Sequence, residues 1–244
     1  MDWSRWYLDL LMATLTGLTP QQVVKEPQEV PFVYQGRRRP PQALTMIGYP
    51  RLWNLESALR DLHARDIPGD VLEAGVWKGG ACLYMKAVLR VLGDTTRTLW
   101  LADSFHGGFP EPDRDRYPAD APITIHRTWR GQTERGYVET MFRGYGLMDD
   151  RVKFLEGWFE ETLPRAPIER LALLRCDGDM YSSTRQTLEC LYDKVSVGGY
   201  VIMDDYGCIE QSRQATDDFR RARGIVTPMQ TIDWAGAYWI KEAA

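Results

Sequence analysis

From residue 69 onward, short runs of consecutive apolar residues alternate with longer stretches of helical spacing. "GDVLEAG" (69–75), "RTLWLADS" (97–104), "RVKFLEG" (151–157), "RLALLRCDGD" (170–179) and "GGYVIMDDY" (198–206) read as strands bounded by glycines and acids. Between them, "GACLYMKAVLRVLG" (80–93), "SSTRQTLECLYDKV" (182–195) and "CIEQSRQATDDFRRARG" (208–224) carry the helical period. Ser182 or Ser183 is the expected N-cap of the second helix, and Gly93 and Gly224 stop the first and third. "TPMQTID" and "AGAYWIKE" close the chain as two strands about a tight turn.

Near-continuous apolar strands joined by helices predict a parallel sheet covered on both faces. The last two strands lie too close for a crossover helix, so they pair as an antiparallel hairpin. The expected fold is α/β, a Rossmann-like, mostly parallel seven-stranded sheet with a C-terminal antiparallel hairpin. That pattern resembles the class I S-adenosylmethionine methyltransferases. Residues 1–68 fall outside the rhythm and read as an N-terminal helical extension around a Pro- and Arg-rich loop (27–41), ahead of a core over 69–244. Residues 105–136 are polar and Pro-rich, a long insertion that reads as a lid over the acceptor site or as a plain surface excursion.

Composition narrows the class. A chain of 244 residues holds one sizeable core without demanding two domains. A net charge of −4 gives no footprint for nucleic acid or an anionic membrane. No apolar run approaches the about 20 residues of a membrane span. The amphipathic start, "MDWSRWYLDLLMATLTG", has acids and no basic leader, so it does not read as a signal peptide. Cys82, Cys176, Cys190 and Cys208 form no CxxC pair and no Cys/His ligand spacing. They read as buried or half-buried free thiols in a reducing compartment, and the expected location is the cytoplasm.

The first strand leads into "LEAGVWKGGA", which is not GxGxxG. Its logic is similar: Gly75 lets the backbone approach a ligand, and Gly79 and Gly80 open a helix whose free N–H groups face it. Glu73 can accept hydrogen bonds from a ligand amine, which suits a cationic sulfonium cofactor better than a pyrophosphate. Asp103, ending the second strand, can accept both hydroxyls of an adenosyl ribose. After the third strand, Gly157, Trp158 and Phe159 could flank an adenine ring, or the two aromatics could pack into the core.

Asp177 and Asp179 follow the fourth strand, and Asp204 and Asp205 follow the fifth. Carboxylates gathered in one crevice repel unless a cation is present, and the usual one is a hard divalent ion with oxygen ligands. Mg2+ accepts few protein ligands and keeps open positions for substrate. The bland alternative is helix caps and solvated loop acids. With a cation, the chemistry is activation of a hydroxyl whose proton a neighbouring carboxylate removes, followed by attack on the sulfonium methyl.

"TMIGYPRLWNLESAL", "GDVLEAGVWKGGACLYMKAVL", "LADSF", "LLRCDGDMYSSTRQTLECLY" and "GGYVIMDDY" together resemble the macrocin O-methyltransferase family over residues 44–240. Its members methylate deoxysugar hydroxyls of macrolide and aminocoumarin natural products. The resemblance implies Mg2+ dependence, with Asp179 as both metal ligand and general base and Asp204 and Asp205 as the other ligands. It implies S-adenosylmethionine held by Glu73, Ala74, Gly75, Val76, Trp77, Asp103 and Ser104, with Thr45 and Met46 closing over the methionine end. Asp177 shapes the strand end and is grouped with the cofactor residues. The implied partner is a small-molecule glycoside acceptor, with no nucleic acid or membrane, in a homodimer or higher homo-oligomer. The lid opens "DSFHGGFPEP", where the family pattern is DSFxGFP, so acceptor choice is open there. His106 reads as a second base or as a lid residue near solvent; His63 and His126 read as surface residues.

Two other readings stand beside this one. A catechol- or phenol-type metal-dependent O-methyltransferase generally uses a lysine base near the metal, and neither acid motif contains one. A non-catalytic adenosyl-binding module or a nucleotide-dependent oxidoreductase meets an intact acid set and no GxGxxG.

Overall fold

The computed structural model describes residues 2–106, 108–124 and 133–243; His126 and part of the expected lid lie outside the described residues. The strands are β1 (Asp70–Ala74), β2 (Leu99–Asp103), β3 (Val152–Glu156), β4 (Leu171–Cys176), β5 (Val195–Met203), β6 (Gln230–Thr231) and β7 (Ala237–Ile240). They form one seven-stranded sheet in the order β3-β2-β1-β4-β5-β7-β6. The pairs from β3 to β5 are parallel, and β7 runs antiparallel to both β5 and β6. The expected architecture is present, with the C-terminal hairpin at one edge.

The helices are α1 (Trp3–Thr16), α2 (Pro20–Lys25), α3 (Val30–Tyr34), α4 (Tyr49–Ala64), α5 (Gly80–Val91), α6 (Arg135–Gly144), α7 (Phe159–Thr162), α8 (Tyr181–Leu191) and α9 (Glu210–Ala222). Local chemistry sets several of their ends. The Asp2 carboxylate accepts the N–H groups of Ser4 and Arg5 and opens α1, and Gly17 closes it in the left-handed conformation. The loop expected over 27–41 is partly helical, holding a 3-10 turn at Pro27–Glu29 and then α3.

Alternate positions along each strand serve two apolar layers. Val71, Leu99, Leu101, Leu173 and Ile202 join α1, α4 and α5 in one cluster. Leu72, Trp100, Leu174, Val201, Met203 and Trp239 join α8 and Phe219 of α9 in the other. The N-terminal extension therefore shares a core with the sheet: Leu8, Leu15, Leu52, Leu55, Leu59 and Leu62 are almost fully buried against α5 and its neighbours. Cys82 and Cys176 are buried and Cys190 half-buried, but Cys208 is exposed, because it sits in the turn ahead of α9 rather than on an apolar face. No described helix is long and apolar enough to cross a membrane.

Two strand ends differ from the sequence expectation. β4 stops at Cys176 and β5 at Met203, so both acid pairs lie beyond the ladder rather than in it. Ala74 pairs with Ala102 and with Cys176, and Cys176 pairs with Met203. The next residues, Gly75, Asp103, Asp177 and Asp204, therefore leave four neighbouring strands at one level, at the C-terminal edge where ligands bind in such sheets.

Candidate active site

Gly75 sits at this level with φ +96, and a Cβ on it would come within 1.8 Å of the Asp177 carbonyl oxygen. Its lack of a side chain lets two loops of the protein touch. Gly80 is similar: its N–H donates to the Leu44 carbonyl at 2.9 Å, and a Cβ would lie 2.4 Å from that oxygen. The expectation that this N–H is free to face a ligand is thus corrected, since the N-terminal segment has taken it. The same contact buries Thr45 and leaves Met46 on a cavity wall.

That cavity lies over the strand ends. Gly75, Trp77, Asp103, Ser104, Asp177 and Asp179 form its floor and sides, and Trp158 and Phe159 stand on its wall. Phe109, Pro110 and Tyr117 of the insertion line it as well. Of the remaining cofactor candidates, Thr45, Ala74, Val76 and Gly157 are not among the residues that line it. One Asp103 oxygen accepts the N–H groups of Val76 (2.7 Å) and Trp77 (3.2 Å), and the other accepts that of Phe105 (3.1 Å). Trp77 has φ +48, and its buried indole N–H has no partner among the described residues. The Arg39 guanidinium and the Lys78 ammonium lie 4.8 and 4.7 Å from its ring centre.

Glu73 does not line the cavity. It is 1% exposed, ion-paired with Arg175, and accepts a hydrogen bond from the Cys82 thiol. Burial, opposed by Arg175, pushes its carboxyl up to about 7. The expected bond to a ligand amine does not fit this placement, because the carboxylate is buried against Arg175 and Cys82 and does not reach the cavity.

Arg175 organises the acids. It is 1% exposed on β4 and pairs with Glu73, with Asp177 (2.8 Å) and with Asp204. Burial pulls its pKa down, but Asp204, Asp177 and Glu73 outweigh that and hold it charged. Arg51, from the first turn of α4, reaches Asp204 at 2.5 Å and Asp233 at 3.1 Å. For Asp204, burial works upward, yet Arg175 and Arg51 bring the carboxyl below its usual range.

For the other acids compensation falls short: Arg175 and Arg51 oppose the rise at Asp177, and Arg51 that at Asp205, without cancelling it. Burial and then Asp204 push Asp177 up to about 6. Burial and then Asp177 and Asp204 raise Asp179 well above its usual value. Burial and then Asp179 and Asp177 do the same to Asp205. Carboxylate charge is in excess over Arg51 and Arg175, which is the condition that favours a hard cation. Oxygens of Asp177, Asp204 and Asp205 lie within 4.8 Å of one another. This is not the expected trio of Asp179, Asp204 and Asp205. Asp177 leaves its strand level with Asp204, whereas Asp179 sits at φ +59 in the following turn, on the cavity wall. Its N–H reaches Asp205 Oδ2 at 3.3 Å.

The helix after this turn also departs from expectation. α8 starts at Tyr181, and Met180, not Ser182 or Ser183, occupies the N-cap position without a capping side chain. Its first N–H groups, of Tyr181 and Ser182, donate to the two oxygens of Asp120, at 2.7 and 2.9 Å. Ser182 and Ser183 instead line the cavity with Gln186. Sequence reasoning missed Arg51, Arg175 and Asp120. Arg175 had a signal, a charge inside an otherwise apolar strand, which a buried strand tolerates only when paired. His106 is 71% exposed and 3.9 Å from Glu156, which fits the near-solvent one of its two readings, and His63 is 45% exposed, at the surface as expected.

The family model described as Macrocin-O-methyltransferase (TylF) matches residues 4–241. The chain is 42% identical over 249 residues to the demethyldecarbamoylnovobiocin O-methyltransferase of Streptomyces niveus, spanning 97% of this chain and 93% of that one. It is 43% identical to the mycinamicin III 3''-O-methyltransferase of Micromonospora griseorubida, spanning 97% and 96%. Its fold superposes on the solved structure of the O-methyltransferase NovP with a TM-score of 0.92 and 42% identity, covering 98% of this chain and 100% of that one.

Proposed function

The chain belongs to the macrocin O-methyltransferase family and is an O-methyltransferase, and from that premise we propose that it moves a methyl group from S-adenosylmethionine to a sugar hydroxyl of a glycosylated natural product, with Mg2+ at the acid cluster. The relatives' names point to the acceptor class, since one is named for demethyldecarbamoylnovobiocin and the other for the 3'' position of mycinamicin III. One observation carries the mechanism: Asp179 stands on the cavity wall beside the converging oxygens of Asp177, Asp204 and Asp205.

Asp177, Asp204 and Asp205 would hold the ion, being oxygen donors only and too negative without one. When bound, the ion supplies Lewis acidity that makes an acceptor hydroxyl more acidic. Asp179 is the general base that takes the hydroxyl proton. Asp103, on the cavity wall, would accept the ribose hydroxyls, and Trp158 and Phe159, which line the same cavity, would flank the adenine. Met46 and Trp77 line the same cavity and would meet the methionine end of the cofactor. Phe109, Pro110 and Tyr117 exclude water from the attacking oxygen.

The test is an acceptor screen with S-adenosylmethionine and Mg2+. Demethylated macrolide and aminocoumarin glycosides are run against simple catechols, with and without EDTA. Turnover of a glycoside that EDTA stops supports the reading; turnover of catechols alone, or activity indifferent to EDTA, rejects it.

A further inference from the structure

Asp120 is fully buried although it lies in the polar insertion, at the end of the 3-10 turn Pro118–Asp120. Its carboxylate faces protein, not solvent or the cavity: Oδ1 accepts the Tyr181 N–H at 2.7 Å and Oδ2 the Ser182 N–H at 2.9 Å. An N-cap side chain normally does this from the residue that opens the helix. Here that residue is Met180, which cannot, and the cap comes from sixty-odd residues upstream. The Tyr117 and Tyr181 rings, 6.1 Å apart, join the two segments a second time.

The turn held in this way is the one that carries Asp179. Met180 donates to the Gly178 carbonyl at 2.6 Å, and Asp179 between them has φ +59, a conformation that costs a non-glycine residue energy and persists only when its surroundings fix it. Below, Asp179 is tied by its N–H to Asp205. Above, the tie is the start of α8, and Asp120 fixes that start. Phe109, Pro110, Glu111, Asp113 and Tyr117 of the same insertion line the cavity that Asp179 lines.

We propose that Asp120 is a positioning residue for the methyl transfer: it fastens the lid segment to the N-terminus of α8, and so holds the Asp179 carboxylate in place only when the lid segment lies over the cavity. The inference rests on Asp179 being the base. It assigns Asp120 no contact with acceptor or cofactor, so its loss acts on the chemical step rather than on cofactor binding.

The test compares the wild type with Asp120→Asn and Asp120→Ala. Asn preserves size and one acceptor oxygen, so it keeps the comparison available if Ala does not fold. Hydrogen exchange is followed with S-adenosylhomocysteine bound and no acceptor. In the Asn variant, exchange is expected to rise about fivefold or more at the start of α8 and across 111–123 together. With the acceptor that turns over in the screen, kcat falls about ten- to a hundredfold, while the KM for S-adenosylmethionine stays as in the wild type, and Ala is worse than Asn. Exchange rising in only one of the two segments, a wild-type kcat in Asn, or a rise in cofactor KM matching the loss of kcat overturns the proposal. An active Asp179→Asn enzyme would instead reject the base assignment, a result the acceptor-free exchange data do not touch.

Discussion

Gly75 and Asp177 are in contact through the glycine's missing side chain: a Cβ on Gly75 would fall 1.8 Å from the Asp177 carbonyl oxygen. The turn after β1 and the acid loop after β4 are therefore one packed unit. Gly75→Ala must push these loops apart and also place a side chain at φ +96. The expected cost is about 3 kcal/mol or more, from left-handed strain and overpacking together. Urea unfolding measures it, and calorimetry with S-adenosylhomocysteine should show binding lost with it. An Ala variant as stable as the wild type would mean that the loops part freely.

Arg175 compensates Glu73, Asp177 and Asp204 while almost wholly buried. Arg175→Met leaves these carboxylates buried without their cation, and breaking a buried pair in this way costs about 3–5 kcal/mol. Arg175→Lys keeps the charge but has no planar fork to span Glu73 on β1 and the acids beyond β4 and β5, so it recovers only part of that loss. Chemical denaturation of the two variants checks the order, wild type above Lys above Met. If Lys matched the wild type, charge alone, and not the fork, would be what the site needs.

A pH effect is expected far from the site. Asp94, in the turn between α5 and β2, accepts from the Thr96 N–H, the Thr96 hydroxyl, the Arg97 N–H and Arg97 Nε, at 2.8 to 3.1 Å. Burial works against its charged form, but the hydrogen bonds from Arg97 and Thr96 and the Arg97 charge together outweigh it and hold the carboxyl below its ordinary range. A depressed folded-state pKa stabilises the native state above the unfolded value and loses that contribution as pH falls through the folded one. Asp94→Ala should therefore cost about 1–3 kcal/mol at pH 7 and progressively less below about pH 4. Urea melts of both proteins at pH 7 and pH 3 decide it; a gap that does not shrink in acid would remove the carboxylate charge from the explanation.

The sheet was legible because buried parallel strands leave continuous apolar runs, and Leu72, Trp100, Leu174 and Val201 all lie in such runs. The gathering of acids was legible too, because strand ends in one sheet share an edge. What stayed hidden were pairings that spacing does not encode. Asp120 caps α8 across an insertion, and Arg51 reaches Asp204 from the other end of the chain. Which acids converge also escaped, because it depends on the β4–β5 register and on the backbone turn at Asp179. Gly80 was read as opening a helix whose N–H faces a ligand, but that N–H is taken by the Leu44 carbonyl of the same chain, a pairing that spacing does not encode either.

Separating metal ligand from base is the sharpest test of the site. Asp205 belongs to the converging trio, whereas Asp179 stands beside it on the cavity wall. Asp205→Asn removes charge and a ligand oxygen, so Mn2+ binding, read by calorimetry or electron paramagnetic resonance, should weaken about tenfold or more, and turnover should fall with it. Asp179→Asn should leave Mn2+ and S-adenosylhomocysteine binding near wild type and lower kcat by about a hundred- to ten-thousandfold, the usual contribution of a positioned base. Raising Mg2+ should recover part of the activity of Asp205→Asn and none of that of Asp179→Asn, because mass action refills a weakened ion site but supplies no base. If Asp179→Asn lost the ion as fully as Asp205→Asn does, Asp179 would be a ligand in its own right, and the trio of Asp179, Asp204 and Asp205 expected from sequence would stand in place of the one set by the register.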